Sequence, residues 1–242
     1  MINKEKINQV FENYVKNYDL SNENIKIKYD HSYRVAENSL KIAESINLSQ
    51  DKINFAYVCG LYHDIGRFSQ WERFSTYVDA ISVDHGDLGY EILKDGLINE
   101  LNLDKKQEEL LLFSTKFHNK LAYETEDEEI KLYTNIVRDA DKIDILEYQN
   151  ISITDDYYII DDSYIECVLN GNVCKNKSNN HVVDKIIRSI SWINDFNFNY
   201  SLNYLNNKQI INKKMEELKN NCNYDFSTLE KYVNIKMKEG RL

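Results

Sequence analysis

Hydrophobic residues recur along most of this chain at intervals of three or four positions, which is the spacing of one face of an α-helix. Val35, Ile42 and Ile46 follow it in the stretch 30–48, and a shorter amphipathic pattern covers residues 7–15. The chain contains no proline and only seven glycines, so its turns must rely on Asn, Asp, Ser and those few glycines. The sequence therefore predicts an all-α fold.

Three regions can be separated along the chain. Residues 1–24 should form an N-terminal helix, residues 25–150 a helical core, and residues 151–242 a C-terminal helical region that packs on the core. The dense apolar stretch 186–198 should pack on the core or on a second subunit. A homodimer therefore stays open as an alternative.

The most apolar helix of the predicted core lies in its centre. Residues 53–62 are apolar nearly all round, which is typical of a buried helix. Ser49 is the candidate N-cap of this helix, and Gly66 is the candidate C-terminal stop. The adjacent pair His63 and Asp64 should then lie at the inner end of the helix.

Only five histidines occur in the 242 residues, and four of them lie on or beside apolar stripes. His31, for example, precedes Val35 by one turn on the same face. A single buried histidine usually bonds a backbone carbonyl, but each buried polar group left unpaired costs roughly 1–3 kcal/mol. A metal centre would satisfy several inward histidines jointly, and the candidates are His31, His63, His85 and His118, together with the neighbouring Asp64.

The fifth histidine and the cysteines give no sign of a further metal site. His181 directly precedes an apolar helical stretch, so we expect it to open that helix rather than to bind metal. The four cysteines have neither a CxxC pair nor another zinc-site spacing, and no signal-like segment precedes them. We therefore expect free thiols in the cytosol.

Four segments together resemble a known family, the HD-domain metal-dependent phosphohydrolase superfamily, over roughly residues 25–148. The segments are YDHSYRV at 29–35, GLYHDIGR at 60–67, DHGDLG at 84–89 and RDADKID at 138–144. The additional His85 and His118 resemble the binuclear branch of that superfamily. The resemblance implies a helical-bundle HD domain, with a C-terminal helical extension, and the metal ligands His31, His63, Asp64, His85, His118 and Asp141.

The choice of Asp141 as the acidic ligand depends on the resemblance alone. The apolar face of this predicted helix is centred near Ile136, Ala140 and Ile143, and spacing by itself slightly favours Asp144 as the inward carboxylate. The family pattern of Ala-Asp followed by a basic residue instead matches Asp141. We interpret Asp139 and Asp144 as surface charges or as hydrogen-bond partners of the ligands.

The resemblance implies a centre of two cations with Asp64 as the bridging, catalytic carboxylate. His31, His63 and Asp141 would complete the coordination of one cation. His85 and His118 would complete the coordination of the other. Two cations about 3.5–4 Å apart lower the pKa of a shared water and clamp the oxygens of an in-line displacement at phosphorus. Mixed imidazole and carboxylate donors suit Fe, Mn, Co or Zn better than Ca or Mg, so the identity of the metal stays open.

Three basic residues lie within one helical turn of a proposed ligand and are candidates for substrate binding: Arg34, Arg67 and Lys142. A planar guanidinium can hold a phosphate through two hydrogen bonds. Arg67 lies three positions after Asp64, where the resemblance implies a basic or acidic side chain, so it is also our candidate for a catalytic cation. The alternative for each of the three is a solvated surface charge.

Charge and composition restrict the partners. A formal net charge of −10 disfavours binding to bulk nucleic acid, which requires Lys and Arg to neutralise phosphates. No apolar run is long enough to cross a membrane, so we expect a cytoplasmic protein. A small phosphorylated substrate, in our interpretation a nucleotide, fits this charge better.

Two other classes of function remain open. Some relatives with the same six-ligand pattern are di-iron oxygenases, and the ligands alone do not separate them from hydrolases. A non-catalytic regulatory or binding module would normally follow from loss of ligands, but all six positions are present here. Hydrolases of cyclic dinucleotides carry a Gly-Tyr-Pro motif that this proline-free chain lacks.

Overall fold

The computed structural model describes residues 2–149, 151–154, 159–175, 177 and 181–239. All regular structure within them is helical, with no strand, which confirms the predicted all-α fold. None of the helices in these residues combines the length and the apolar character that a bilayer-crossing segment requires. The chain divides into two compact units, Met1–Asp141 and Lys142–Leu242.

The first unit contains the predicted N-terminal helix and the helices of the predicted core. Short 3-10 turns at Asp79–Ile81 and Leu97–Leu101 lie between its longer elements. The division between the units falls inside the last of these helices, N-terminal to the predicted boundary at residue 150. The helices are α1 (Lys4–Val15), α2 (Glu23–Ser45), α3 (Gln50–Tyr62), α4 (Ile65–Phe74), α5 (His85–Lys94), α6 (Lys105–Phe117) and α7 (Glu128–Tyr148).

Helix α3 is the buried central helix that its apolar sequence predicts. Ser49 is its N-cap residue, as expected. The prediction that Gly66 stops this helix is wrong, because α3 already ends at Tyr62 and Gly66 lies inside α4. A Cβ on Gly66 would come within 2.4 Å of the carbonyl oxygen of His85, so this glycine permits a close approach between α4 and α5.

A second glycine sets the distance between α2 and α3. A Cβ added at Gly60 would lie 2.5 Å from Oγ of Ser39, 2.8 Å from Cα of Ala36 and 2.9 Å from the carbonyl oxygen of Val35. The two helices therefore touch backbone to backbone at this point. This contact places the C-terminal end of α3 beside the middle of α2.

The second unit has its own apolar core. The stretch 186–198 contributes Ile186, Ile187, Ile190 and Ile193 to that core. His181 is the N-cap residue of a helix, as predicted, and the four cysteines are free. Residues 155–158, 176, 178–180 and 240–242 of the predicted C-terminal region lie outside the described residues. The helices are α8 (Asp162–Leu169), α9 (Val182–Ile190), α10 (Asn199–Asn207), α11 (Ile210–Asn221) and α12 (Ser227–Glu239), with a 3-10 turn at Ser191–Asp195.

Replacing Gly60 with alanine should destabilise the protein, because the new methyl group would overlap backbone atoms of α2. Overpacking of this kind costs about 1–3 kcal/mol. Urea unfolding followed by circular dichroism measures the change in the free energy of unfolding. Glu37→Ala, at an exposed position of α2, is the matched control and should change it by less than about 0.5 kcal/mol. Equal stability of Gly60→Ala and the wild type would contradict the close approach.

Candidate metal centre

The six residues predicted as metal ligands converge in the first unit from five separate places in the chain. His31 lies on α2, His63 and Asp64 lie at the junction of α3 and α4, and Asp141 lies on α7. His85 is the first residue of α5, and His118 directly follows α6. Asp141 is partly buried, while the four histidines and Asp64 are buried. The structure therefore brings together side chains that are up to 110 positions apart in the numbering (141 − 31).

Asp64 lies between two groups of imidazoles and turns one oxygen to each. Its Oδ2 is 3.4 Å from Nε2 of His31 and 3.6 Å from Nε2 of His63. Its Oδ1 is 3.3 Å from Nε2 of His85 and 3.5 Å from Nε2 of His118. Asp64 is the N-cap residue of α4, yet its side chain makes no capping hydrogen bond. Both of its oxygens therefore face the imidazoles of this cluster.

Asp141 completes the first of the two groups. Its Oδ1 lies 3.1 Å from Nε2 of His31 and 3.7 Å from Nε2 of His63. The three donor atoms of His31, His63 and Asp141 lie within 4.8 Å of one another, as do those of His63, Asp64 and His118. Each group could hold a metal ion.

Hydrogen bonds on the outer side of three rings fix which nitrogen faces the cluster. Nδ1 of His63 donates to the carbonyl oxygen of Gly60, and Nδ1 of His118 donates to that of Thr115, each at 2.7 Å. Nδ1 of His85 donates to Oδ2 of Asp79 at 2.6 Å. In a neutral imidazole with a protonated Nδ1, Nε2 carries the lone pair. These lone pairs therefore face the cluster.

Two of the inward nitrogens are too close to be stable without a positive charge between or beside them. Nε2 of His85 and Nε2 of His118 are 3.1 Å apart, and both are acceptors in the tautomers described above. Nε2 of His63 is also buried, with no hydrogen-bond partner among the described residues. Donors about 2.1 Å from one metal ion are separated by about 3.0–3.4 Å in octahedral or tetrahedral geometry. The residues thus fit divalent cations.

The electrostatics favour the protonation states that metal ligation needs. Burial lowers the pKa of His85 to about 4, and burial also lowers the pKa of His63, so both rings are neutral at pH 7. Burial alone would raise the pKa of Asp64, but the Lys28 ammonium and the surrounding imidazoles hold it well below its usual range. The centre is therefore prepared with neutral imidazoles and an ionised carboxylate.

Arg67 lies beside the cluster but is held by other groups. Its NH1 donates to Oε1 of Gln70 at 2.7 Å, to the carbonyl oxygen of Tyr77 at 2.8 Å and to Oδ1 of Asp79 at 2.9 Å. Its Nε lies 3.6 Å from Oδ1 of Asp64, which is too long for a hydrogen bond. Arg67 thus connects Asp64 to the segment that follows α4.

The other two predicted cations have different surroundings. Lys142 forms an ion pair with the carboxylate of Asp195 and donates to the carbonyl oxygen of the same residue at 3.0 Å, within the second unit. Arg34 is half-buried on α2, three positions after His31. Asp139 and Asp144 are buried, so the first part of their interpretation, as surface charges, is wrong, and the second part, as hydrogen-bond partners of the ligands, stays a prediction.

Two residues at the centre were not expected from the sequence. Asp79 accepts the hydrogen bond of His85 and contacts Arg67, yet it lies in a short 3-10 turn with no helical pattern that could have indicated it. Lys28 places its Nζ 2.7 Å from Oδ2 of Asp64. Lys28 precedes His31 by three positions, so helical spacing could have placed it beside that histidine.

The HD domain family model matches residues 29–146. This segment includes all six residues that converge on the cluster. HD domain proteins bind divalent metals. No curated protein and no solved structure matches the chain.

Chelator-treated protein should lose stability when the pH falls from about 7 to about 5. His63 and His85 are neutral in the folded protein, and unfolding returns their pKa to about 6.5. The unfolded chain therefore binds more protons below pH 6.5, which lowers the free energy of unfolding, by up to about 2 kcal/mol for His85. Urea unfolding at both pH values measures the loss. The free energy of unfolding of His85→Asn should fall less over this pH range, because Asn does not titrate. An equal fall would contradict the lowered pKa of His85.

Asp79→Asn should weaken metal binding, because the carboxylate orients the His85 ring and increases its basicity. Loss of such a partner costs about 10–100-fold in metal affinity. Calorimetric titration with Mn²⁺ or Co²⁺ measures this effect. The matched control is Asp30→Asn, which removes a half-exposed carboxylate from α2 that pairs with Lys26. If both variants bound metal as the wild type does, Asp79 would have no role in orienting the ligand.

Proposed function

We propose that this chain is a two-metal phosphohydrolase, because residues 29–146 match the model of the HD domain family, whose proteins are generally metal-dependent hydrolases. It would hydrolyse a phosphate ester or anhydride of a small molecule. One observation carries the proposal: Oδ2 of Asp64 faces His31 and His63, while Oδ1 faces His85 and His118. A carboxylate in this position can bridge two cations.

Each donor has a role in the proposed centre. His31, His63 and Asp141 would hold one ion, His85 and His118 the other, and Asp64 both. When bound, two divalent transition-metal ions would acidify a water molecule and polarise the oxygens of a phosphoryl group. The mixture of imidazole and carboxylate donors suits Fe, Mn, Co or Zn. No side-chain nucleophile is needed.

The protein itself would contribute orientation and positive charge. The carbonyl oxygens of Gly60 and Thr115 hold His63 and His118 with their Nε2 lone pairs inward. Arg67 would contact the substrate through its buried Nε, which has no hydrogen-bond partner among the described residues. A guanidinium at this position would stabilise negative charge on a phosphoryl group. Arg34 and Lys142 remain candidates for contacts with the rest of the substrate.

The net charge of the chain supports the proposed substrate class. A net charge of −10 disfavours a polyanionic partner such as bulk nucleic acid. We therefore propose a small phosphorylated molecule, with nucleotides as the first group to test.

The test is metal analysis of protein purified without chelator, followed by a screen of nucleotides and sugar phosphates with added Mn²⁺, Co²⁺ or Fe²⁺. Release of phosphate or of a nucleoside monophosphate is the expected result. If no substrate is hydrolysed and the iron-loaded protein consumes oxygen with an organic phosphonate or a polyol, the di-iron oxygenase alternative replaces this proposal. Absence of bound metal under all conditions would favour a non-catalytic module.

His85→Ala and His118→Ala should each lower the bound metal from two equivalents to one and remove most of the turnover, because both donors serve the same ion. His181→Ala is the matched control, since His181 begins α9 in the second unit. Metal content by plasma emission spectroscopy and initial rates with the best substrate measure the two effects. Equal effects of all three variants would refute the ligand assignment.

A further inference from the structure

Lys28 lies closer to the carboxylate of Asp64 than Arg67 does. It precedes His31 by one turn on α2, and its Nζ donates to Oδ2 of Asp64 at 2.7 Å. The corresponding distance for Nε of Arg67 to Oδ1 of Asp64 is 3.6 Å. Only 15% of the Lys28 side chain is exposed. An ammonium is thus held at the centre and mostly shielded from solvent.

Within the described residues, the ammonium of Lys28 donates fewer hydrogen bonds than the guanidinium of Arg67. An ammonium has three N–H donors. Within the part of the chain that the structure describes, the hydrogen-bond acceptor of Lys28 is Asp64. NH1 of Arg67, in contrast, is shared among Gln70, Tyr77 and Asp79. Lys28 therefore has donors available for a ligand.

The ring of Tyr77 lies near both cations. Its ring centroid is 5.5 Å from Nζ of Lys28 and 5.6 Å from Cζ of Arg67. Its hydroxyl donates to the carbonyl oxygen of Asn24 at 2.9 Å, which fixes the ring against α2. An aromatic ring attracts nearby cations, so Tyr77 restricts where the Lys28 ammonium can move. The positive charge is consequently positioned rather than mobile.

The ion pair with Asp64 cannot be the whole role of Lys28 once the donors hold metal. Both oxygens of Asp64 already face imidazole groups that fit cations. Two divalent cations and the Lys28 ammonium together carry more positive charge than the carboxylates of Asp64 and Asp141 neutralise, so a further anion is favoured at the centre. A phosphoryl group at the centre would supply that anion and would accept the hydrogen bonds that Lys28 can donate.

We propose that Lys28 is a catalytic residue that binds a nonbridging oxygen of the phosphoryl group of the substrate. This inference rests on the proposed phosphohydrolase function and names a residue that the family resemblance did not indicate. The ammonium lies on the Oδ2 side of Asp64 and Arg67 on the Oδ1 side, so the two cations flank the carboxylate. Lys28 stabilises the negative charge that the phosphoryl oxygens carry in the transition state.

The experiment uses the full chain loaded with Mn²⁺ and inorganic phosphate as the probe. Lys28→Gln removes the ammonium and keeps a long polar side chain. Lys26→Gln is the matched control, because Lys26 lies two residues away on α2, is half exposed and pairs with Asp30. Calorimetric titration should give phosphate binding about ten- to a hundredfold weaker for Lys28→Gln, with unchanged Mn²⁺ content, and wild-type binding for Lys26→Gln. Lys28→Arg should recover part of the affinity.

Two results would overturn the role of Lys28. If Lys28 only neutralises Asp64, Lys28→Gln will change Mn²⁺ affinity or thermal stability and leave phosphate affinity at the wild-type value. If the Mn²⁺-loaded wild type does not bind phosphate, the subsite does not exist.

Turnover of the best substrate separates this inference from the proposed function. Normal hydrolysis with equal kcat/KM in Lys28→Gln and wild type would overturn the inference and leave the function standing. Phosphate binding that depends on Lys28, in a protein that hydrolyses no phosphate ester or anhydride, would overturn the function and keep the binding site.

Discussion

Imidazole nitrogens that accept hydrogen bonds and face one another across a buried carboxylate repel each other unless positive charge is present. The 3.1 Å separation of Nε2 in His85 and His118 is the clearest case. The rings cannot relieve this by changing tautomer, because Nδ1 of each already donates to Asp79 or to the carbonyl oxygen of Thr115. The burial of the histidines, the outer hydrogen bonds of their rings and the central position of Asp64 are what a site for bound cations requires.

Close packing between helices of the first unit brings the residues of this centre together. Gly60 lets α3 touch α2, which places His63 near His31, with ring centroids 5.1 Å apart. Gly66 lets α4 approach the start of α5, where His85 lies. Side chains at either glycine would separate these helices, so packing and metal binding depend on the same two positions. Stability of the fold and geometry of the centre are therefore linked.

The outer contacts of the centre connect its two sides. Asp79 accepts from His85 and from Arg67, Arg67 contacts Tyr77, and the ring of Tyr77 lies near Lys28. This network orients one imidazole and fixes the positive charge beside Asp64. A phosphoryl group would thus meet a cation arrangement that is already in place, which reduces the reorganisation needed during reaction.

The amino-acid sequence alone determined the all-α class, the buried α3, the helix that begins after His181, and the set of inward histidines, because helical spacing and capping are local properties. The resemblance to the HD family then selected Asp141 over Asp144. Only the tertiary structure decided that α3 ends at Tyr62, which oxygen of Asp64 faces which histidines, and that Asp79 and Lys28 belong to the centre. Those features depend on contacts between residues far apart in the chain, such as Lys28 with Asp64, which are 36 residues apart. Helical spacing places Lys28 near His31 but does not indicate its contact with Asp64.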